Sequence, residues 1–409
     1  MMEMSEPMPG GEQTIRPHSG KQGSHIPWLD GLRGIAALWV LLSHVQILSG
    51  MRGLPILSWG SVAVELFMML SGFLMAHHYI ERREREPWHR PYTIAVFWTR
   101  RFFRIAPLYY LLLIAALIAG PALGEMRNHI AAAWPQSGTE AARYADQGIA
   151  NIATHLSFLF GLLPDYAFRT PLPDWSIGLE MQFYLAFPFI MLLMARLGPA
   201  LAALALMALC AVTGWLAPGF FGSFPMPAFL PIKLYVFLAG MLMAYSRSAG
   251  SAGAARLFLA TALLYPCLQF LQSPHGENLT LVLLVAAMFY LTDDGLLPGA
   301  VYLRTARQTA RHTFAGGIAV FLGSTSYATY LLHLLIVLPT AGSLAQIPAY
   351  VELNQYLRFV VVLALAMPIT YLLSWLLYQW VEQPGIKAGK SVIRRWKQGT
   401  AALAAPNAR

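Results

Sequence analysis

An all-α, polytopic membrane protein of about ten transmembrane helices, with both termini cytoplasmic, is the fold this sequence predicts. Hydrophobic residues make up 57% of the 409 and charged residues only 11%, against about 25% charged in soluble domains. Mean hydropathy is +0.53. Apolar stretches close to the ~20 residues needed to cross a bilayer recur along the chain. Arginine and lysine gather in alternate connections between those stretches.

Residues 1–26 are polar and rich in Gly, Pro and Ser, and are expected to form a disordered cytoplasmic tail. The first apolar stretch is followed by no small-x-small cleavage site, so it reads as a retained span rather than a signal peptide. Spans are placed near 27–48, 57–80, 101–119, 176–196, 199–217, 228–246, 256–273, 278–296, 315–338 and 356–381. Arg82, Arg83, Arg85, Arg90, Arg100, Arg101 and Arg104 lie between the second and third. Arg196, Arg247, Arg256, Arg304, Arg307 and Arg311 fall on the same side, and Lys387, Lys390, Arg394, Arg395 and Lys397 follow the last span. The opposite connections hold Arg52, Arg127, Arg143, Arg169 and Arg358. The positive-inside rule places the richer set in the cytoplasm. The long connection 120–175 then lies outside, and its apolar segment 151–164, too short to cross, is expected as an interfacial or re-entrant helix. A membrane-embedded domain over 27–384 is thus followed by a basic cytoplasmic tail, 385–409.

Several function classes find no support. The net charge of +9 sits at predicted helix ends, which orients a membrane protein and does not point to nucleic acid. Two cysteines, Cys210 and Cys267, both in apolar runs, make no disulfide framework. There is no phosphate-binding glycine loop, no dinucleotide fingerprint and no zinc-protease motif, and no metal is expected.

The chemistry-bearing residues sit where a membrane protein can least accommodate them. Arg33 and His44 both fall in the first span; eleven helical steps put them on one face, about 16 Å apart along the axis. Ionisable groups at that depth face a protein interior or a watery cavity. A buried, neutral imidazole suits a general base for a hydroxyl group, and equally a packing histidine bonded across helices. Asp30, near Arg33 on almost the same face, adds to the polar stripe. Arg101 and Arg104 are neighbours on a helix surface, placed to grip one polyanion or simply to anchor the cytoplasmic end. Trp175, Ser176 and Glu180 open the fourth span, where a carboxylate and an indole suit a sugar and also suit an interfacial belt. Tyr330 and His333 continue a polar face in the ninth span. Glu65 stands mid-helix in the second span, and Glu382 closes the last, placed to pair with a cytoplasmic arginine.

Taken in order, these blocks resemble the acyltransferase-3 family of integral-membrane O-acyltransferases. WLDGLRGIAALWVLLSHV carries its Arg-x10-His pair, SVAVELFMMLSGFLM its second-helix block and RRFFRIAPLYY its Arg-x-x-Arg block. DWSIGLEMQFYLAFP, STSYATYLLHLLIV and WVEQPG match the later ones, so the resemblance runs from residue 27 to 385. Where relatives often carry Glu-Glu-Gln this chain has Glu180-Met181-Gln182. The resemblance implies a ten-helix bundle in the bacterial inner membrane. It would move an acyl group, most often acetyl, from cytoplasmic acyl-CoA to a hydroxyl of an extracytoplasmic glycan or lipid-linked sugar. It implies His44, Arg33 and Glu180 as catalytic, and Arg101 and Arg104 as donor-binding. Trp175, Ser176, Tyr330 and His333 are expected at the acceptor, while Asp30, Glu65 and Glu382 are structural or without an assigned role. Acyl-CoA enters as donor substrate, with no tightly bound cofactor. Membrane lipids and glycan-synthesis proteins are the expected neighbours. Some relatives continue into a periplasmic hydrolase-like domain; only residues 385–409 follow here, so any second transfer step is expected to fall to another protein. A transporter or flippase for a lipid-linked sugar or small amphiphile is the alternative from a different class. No related halves of the kind such transporters show are visible in the sequence.

Overall fold

The computed structural model describes residues 26–404 apart from 296 and 298–300; the predicted tail thus lies outside the described residues except for Ile26. The described chain is helical, with no strand among the described residues. Helices α1 (Pro27–Leu48), α2 (Gly60–Arg82) and α3 (Pro91–Ala133) come first. After the irregular segment that holds the short α4 (Ile149–Leu156) come α5 (Trp175–Leu197), α6 (Pro199–Leu216) and α7 (Leu230–Arg247). Then follow α8 (Ala252–Gln272), α9 (Gly276–Thr292), α10 (Val301–Phe314), α11 (Gly317–Leu344), α12 (Gln355–Leu377) and α13 (Gln383–Ala404). Eight of the described helices are long and apolar enough to cross a membrane; α9 is shorter and α7 is not among the eight. The chain is an integral, multi-pass membrane protein, and each predicted span coincides with a helix.

Helix α3 departs from expectation. A span over 101–119 was predicted, yet the helix runs 43 residues from Pro91 to Ala133. At 1.5 Å per residue it is about 64 Å long, roughly twice the hydrocarbon thickness. Its upper part carries Pro121, Glu125 and Arg127, residues that break an apolar pattern without breaking this helix. The segment 151–164 gives no continuous helix either: α4 stops at Leu156, and Phe158 sits at φ 59° before two 3₁₀ turns. The basic segment after Pro384 continues as α13 through a π turn at Tyr378–Glu382.

In the centre, α1 crosses α11 and α2 crosses α7, while α6, α8 and α12 lie outside with large apolar side chains exposed as lipid contact requires. Small residues set both central crossings. A Cβ on Gly323 of α11 would stand 2.2 Å from the Asp30 carbonyl oxygen, and one on Gly240 of α7 would stand 1.9 Å from the Met69 oxygen. Without a hydrophobic drive between helices in lipid, such close backbone approach is what holds them together. Gly323→Val is therefore expected to separate α1 from α11, at an overpacking cost of about 1–3 kcal/mol. A lowered melting temperature in detergent checks this; an unchanged one would contradict the tight crossing.

Candidate functional site

The α1–α11 crossing brings together two residues that are 289 positions apart. His44 Nδ1 stands 3.1 Å from His333 Nε2, with ring centroids 4.8 Å apart. The protons follow from the neighbours. Carbonyl oxygens only accept, so His333 Nδ1, 2.7 Å from the Tyr330 oxygen, is the protonated nitrogen of a neutral ring. Its Nε2 then accepts from His44 Nδ1–H. The Val40 carbonyl, 3.0 Å from that same His44 nitrogen, also requires a proton there. His44 Nε2 is left with its lone pair and makes no hydrogen bond among the described residues. This assignment rests on the hydrogen-bond network. His333, 1% exposed, lines no part of the cavity beside His44 and stands behind it as an orienting group. The sequence expected it at an acceptor; α11 presents it to α1 instead of to this cavity.

His44 opens on a cavity of about 270 Å³ whose wall includes Ser43, Glu65, Arg143, Trp175, Lys233 and Tyr330. A second, smaller cavity of about 40 Å³ is lined by Arg33, Ser71, Ser176, Glu180, Tyr327 and Tyr330. The two share Val64 and Tyr330, so those side chains form the partition between a histidine chamber and an arginine chamber. Tyr330 is pinned there: its hydroxyl donates to the Pro173 oxygen at 2.9 Å and takes a hydrogen bond from Ser176 Oγ at 2.7 Å. Glu180 accepts from Ser71 Oγ at 2.9 Å and from the Tyr184 hydroxyl. Arg33 and His44 thus lie along one helix but in adjoining chambers. Glu65 forms an ion pair with Lys233 on α7. Lys233 was not singled out from the sequence, although a lysine inside an apolar span is itself a signal.

Away from His44, Arg101 lies over the rings of Phe97 (5.6 Å) and Tyr184 (5.7 Å), with no hydrogen bond to its buried Nε. It lines a cavity together with His78, Arg82, Arg100 and Glu86. Arg104 does not join it. Its guanidinium pairs with Glu382 at 3.3 Å, and Glu382, 1% exposed, is brought to it by the π turn. Of the two arginines expected at the donor, Arg101 lines this cavity with Arg82, while Arg104 ties α3 to the last helix. Asp30, at the start of α1, packs its backbone against Gly323 and lines neither chamber.

Over the histidine chamber lies the segment between α3 and α5. Asp174 accepts from Thr170 Oγ1 at 2.8 Å and from the Tyr109 hydroxyl at 3.3 Å, and faces His155 Nε2 at 3.6 Å. Burial pushes its carboxyl above the usual carboxylate range, and His155 opposes that push. Arg143 in the same segment donates from Nε to the Thr170 oxygen at 3.1 Å, with its guanidinium 3.8 Å above the Phe168 ring. Nothing in the sequence distinguished Arg143 from the other sparse charges of that connection. Among the described residues no group of His, Cys, Asp and Glu is placed to hold a metal ion.

Residues 26–379 match a family model described as an acyltransferase domain. The chain is similar to the acyltransferase MdmB of Streptomyces mycarofaciens, 26% identical over 348 residues that cover 76% of this chain and 79% of the relative. It is also similar to the peptidoglycan O-acetyltransferase OatA of Listeria monocytogenes, 24% identical over 181 residues, 42% of this chain and 25% of that protein. The O-acetyltransferase OatA of Staphylococcus aureus is 28% identical over 178 residues, 41% of this chain and 24% of its own length. The match therefore spans most of the first relative and about a quarter of each of the other two. No solved structure matches the chain.

Proposed function

This chain belongs to the acyltransferase-3 family, and from that premise we propose that it moves an acyl group from acyl-CoA in the cytoplasm to a hydroxyl of a glycan or lipid-linked sugar outside. The observation that carries the proposal is the free lone pair of His44 Nε2, held open to a cavity by a proton arrangement that His333 and the Val40 carbonyl both demand. A base so oriented meets the geometric requirement for taking a proton from a hydroxyl within reach. The O-acetyltransferase names of two relatives support an acetyl group, and the peptidoglycan in one of those names supports a glycan acceptor.

In this reading the arginine-rich ends of α2 and α3 are cytoplasmic and both termini lie on that side. The nucleotide phosphates of the donor rest against Arg101 and Arg82, and its thioester extends into the Arg33 chamber. The acceptor hydroxyl lies in the His44 chamber with Trp175 against its sugar ring. The hydroxyl oxygen attacks the thioester carbonyl while His44 Nε2 takes its proton. The carbon–sulfur bond breaks, and the CoA thiolate leaves and recovers a proton. Arg33 and the Ser71–Glu180–Tyr184 set flank the carbonyl, with the guanidinium matched to the negative charge that develops on its oxygen. Tyr330 and Val64 must yield for thioester and hydroxyl to meet. Mass spectrometry tests the proposal: purified protein given acetyl-CoA and extracted membrane glycans is expected to release free CoA and leave O-acetyl groups on a sugar. An intact thioester over many hours would refute the reaction.

A further inference from the structure

Three ionisable side chains stand on the wall of the His44 chamber: Glu65, Lys233 and Arg143. Glu65 and Lys233 cancel each other in their ion pair. Arg143 is in no such contact pair, although the Asp174 carboxylate of the same segment acts on it through space. It is 7% exposed, and no carboxylate of the described residues lies within ion-pair distance of it. Its one hydrogen bond runs from Nε to the Thr170 oxygen, and the ring of Phe168 covers one face. The two terminal nitrogens, with four of the five N–H donors of a guanidinium, make no hydrogen bond among the described residues. Asp174, the acid in the same segment, is held by Thr170 and Tyr109 and faces His155.

Those terminal nitrogens of Arg143 are not among the side-chain atoms sealed away without a partner, so they open on the chamber and are available to what it holds. Arg143 lines the same chamber as His44, and the Phe168 ring beneath it also lines a separate outer vestibule of about 380 Å³. A molecule that passes from the vestibule to His44 moves along the ring on which the guanidinium rests. A forked pair of N–H donors matches the two oxygens of a carboxylate or phosphate.

We propose that Arg143 binds an anionic group, a carboxylate or a phosphate, on the acceptor whose hydroxyl faces His44. The inference rests on the reading of this chamber as the acceptor's. The chamber then selects acidic or phosphorylated sugars over neutral ones. The anion, anchored at the chamber mouth, sets which hydroxyl reaches the base. Two sources share this chemistry: a uronic-acid carboxylate within a glycan, and the phosphate that joins a sugar to a lipid.

The test uses the full chain in nanodiscs of zwitterionic lipid, with no donor present, so that binding is read apart from reaction. Phenyl β-D-glucuronide, glucose 1-phosphate and phenyl β-D-glucoside are titrated by saturation-transfer NMR. At least one anionic probe is expected to bind about ten-fold tighter than the neutral glucoside or more, as a charge-assisted hydrogen bond implies, with the advantage shrinking in salt. Preference for the glucuronide points to an acidic glycan, and preference for the phosphate to a lipid-linked or phosphorylated sugar. Arg143→Gln is expected to remove the advantage without changing the glucoside, and Arg143→Lys to keep part of it. Equal binding of all probes to the wild-type protein would overturn the proposal, whether or not the variants fold. So would an advantage that survives Arg143→Gln, or a variant that weakens all probes alike, the mark of a residue that only braces its loop. If the anion preference holds while no acyl group is ever transferred, the proposed reaction fails and the anion site stands.

Discussion

Replacing His44 with Ala is expected to lower acyl transfer by about 10²–10⁴-fold, the range a positioned general base contributes. Expression, melting temperature and donor affinity should change little, because the imidazole faces a cavity over part of its surface and the helix crossing is set by small residues near Gly323. His333→Ala should cost less, since His333 does not line the chamber and meets only the Nδ1 side of His44. That is a positioning role, so its signature is a displaced pH profile as well as a slower rate. The measurement is initial rate of labelled acetyl transfer against pH for wild type and both variants. Normal transfer by well-folded His44→Ala would remove the base from the account. An effect of His333→Ala on melting temperature alone would reduce that residue to packing.

The second large effect is expected at the other end of the bundle. Arg101 carries a buried Nε without a hydrogen-bond partner beside a cavity shared with Arg82. Arg101→Ala should raise the apparent KM for acyl-CoA about ten-fold or more, as loss of charge-assisted hydrogen bonds to phosphate implies, with kcat much less affected. Arg104→Ala is expected to behave differently. It strands the buried carboxylate of Glu382 and so lowers the melting temperature first. Steady-state titration with acyl-CoA and with a truncated thioester lacking the nucleotide separates the two: Arg101→Ala should lose its deficit with the truncated donor. A deficit that is the same for both donors would place the phosphates elsewhere.

The spans were legible because hydrocarbon enforces a long apolar run wherever the chain crosses, and a helix is the only way to satisfy that backbone. Their neighbours were not. Helix α3 outlasts the predicted span by about four turns, in which Arg127 is buried while Pro121 and Glu125 are exposed. Arg33 and His44 stood out as ionisable residues in a span, a local signal. Their partners depend on crossings that no spacing reveals. His333 meets His44 through the α1–α11 contact, Lys233 meets Glu65 through α2–α7, and Tyr330 divides the two chambers only because Ser176 and Pro173 pin its hydroxyl. Helical spacing placed Arg101 and Arg104 as neighbours, and it could not show that a carboxylate at the far end of the sequence pairs with one of them.

Transfer between the two sides of a membrane is tested in sealed proteoliposomes. Acetyl-labelled acetyl-CoA is enclosed within, and an acidic sugar acceptor is supplied only outside. Labelled O-acetyl groups should accumulate on the external sugar while the enclosed thioester is consumed, and vesicles with His44→Ala should show neither. Label that appears only when donor and acceptor share a compartment, or acceptor that crosses the membrane unmodified, would contradict the account.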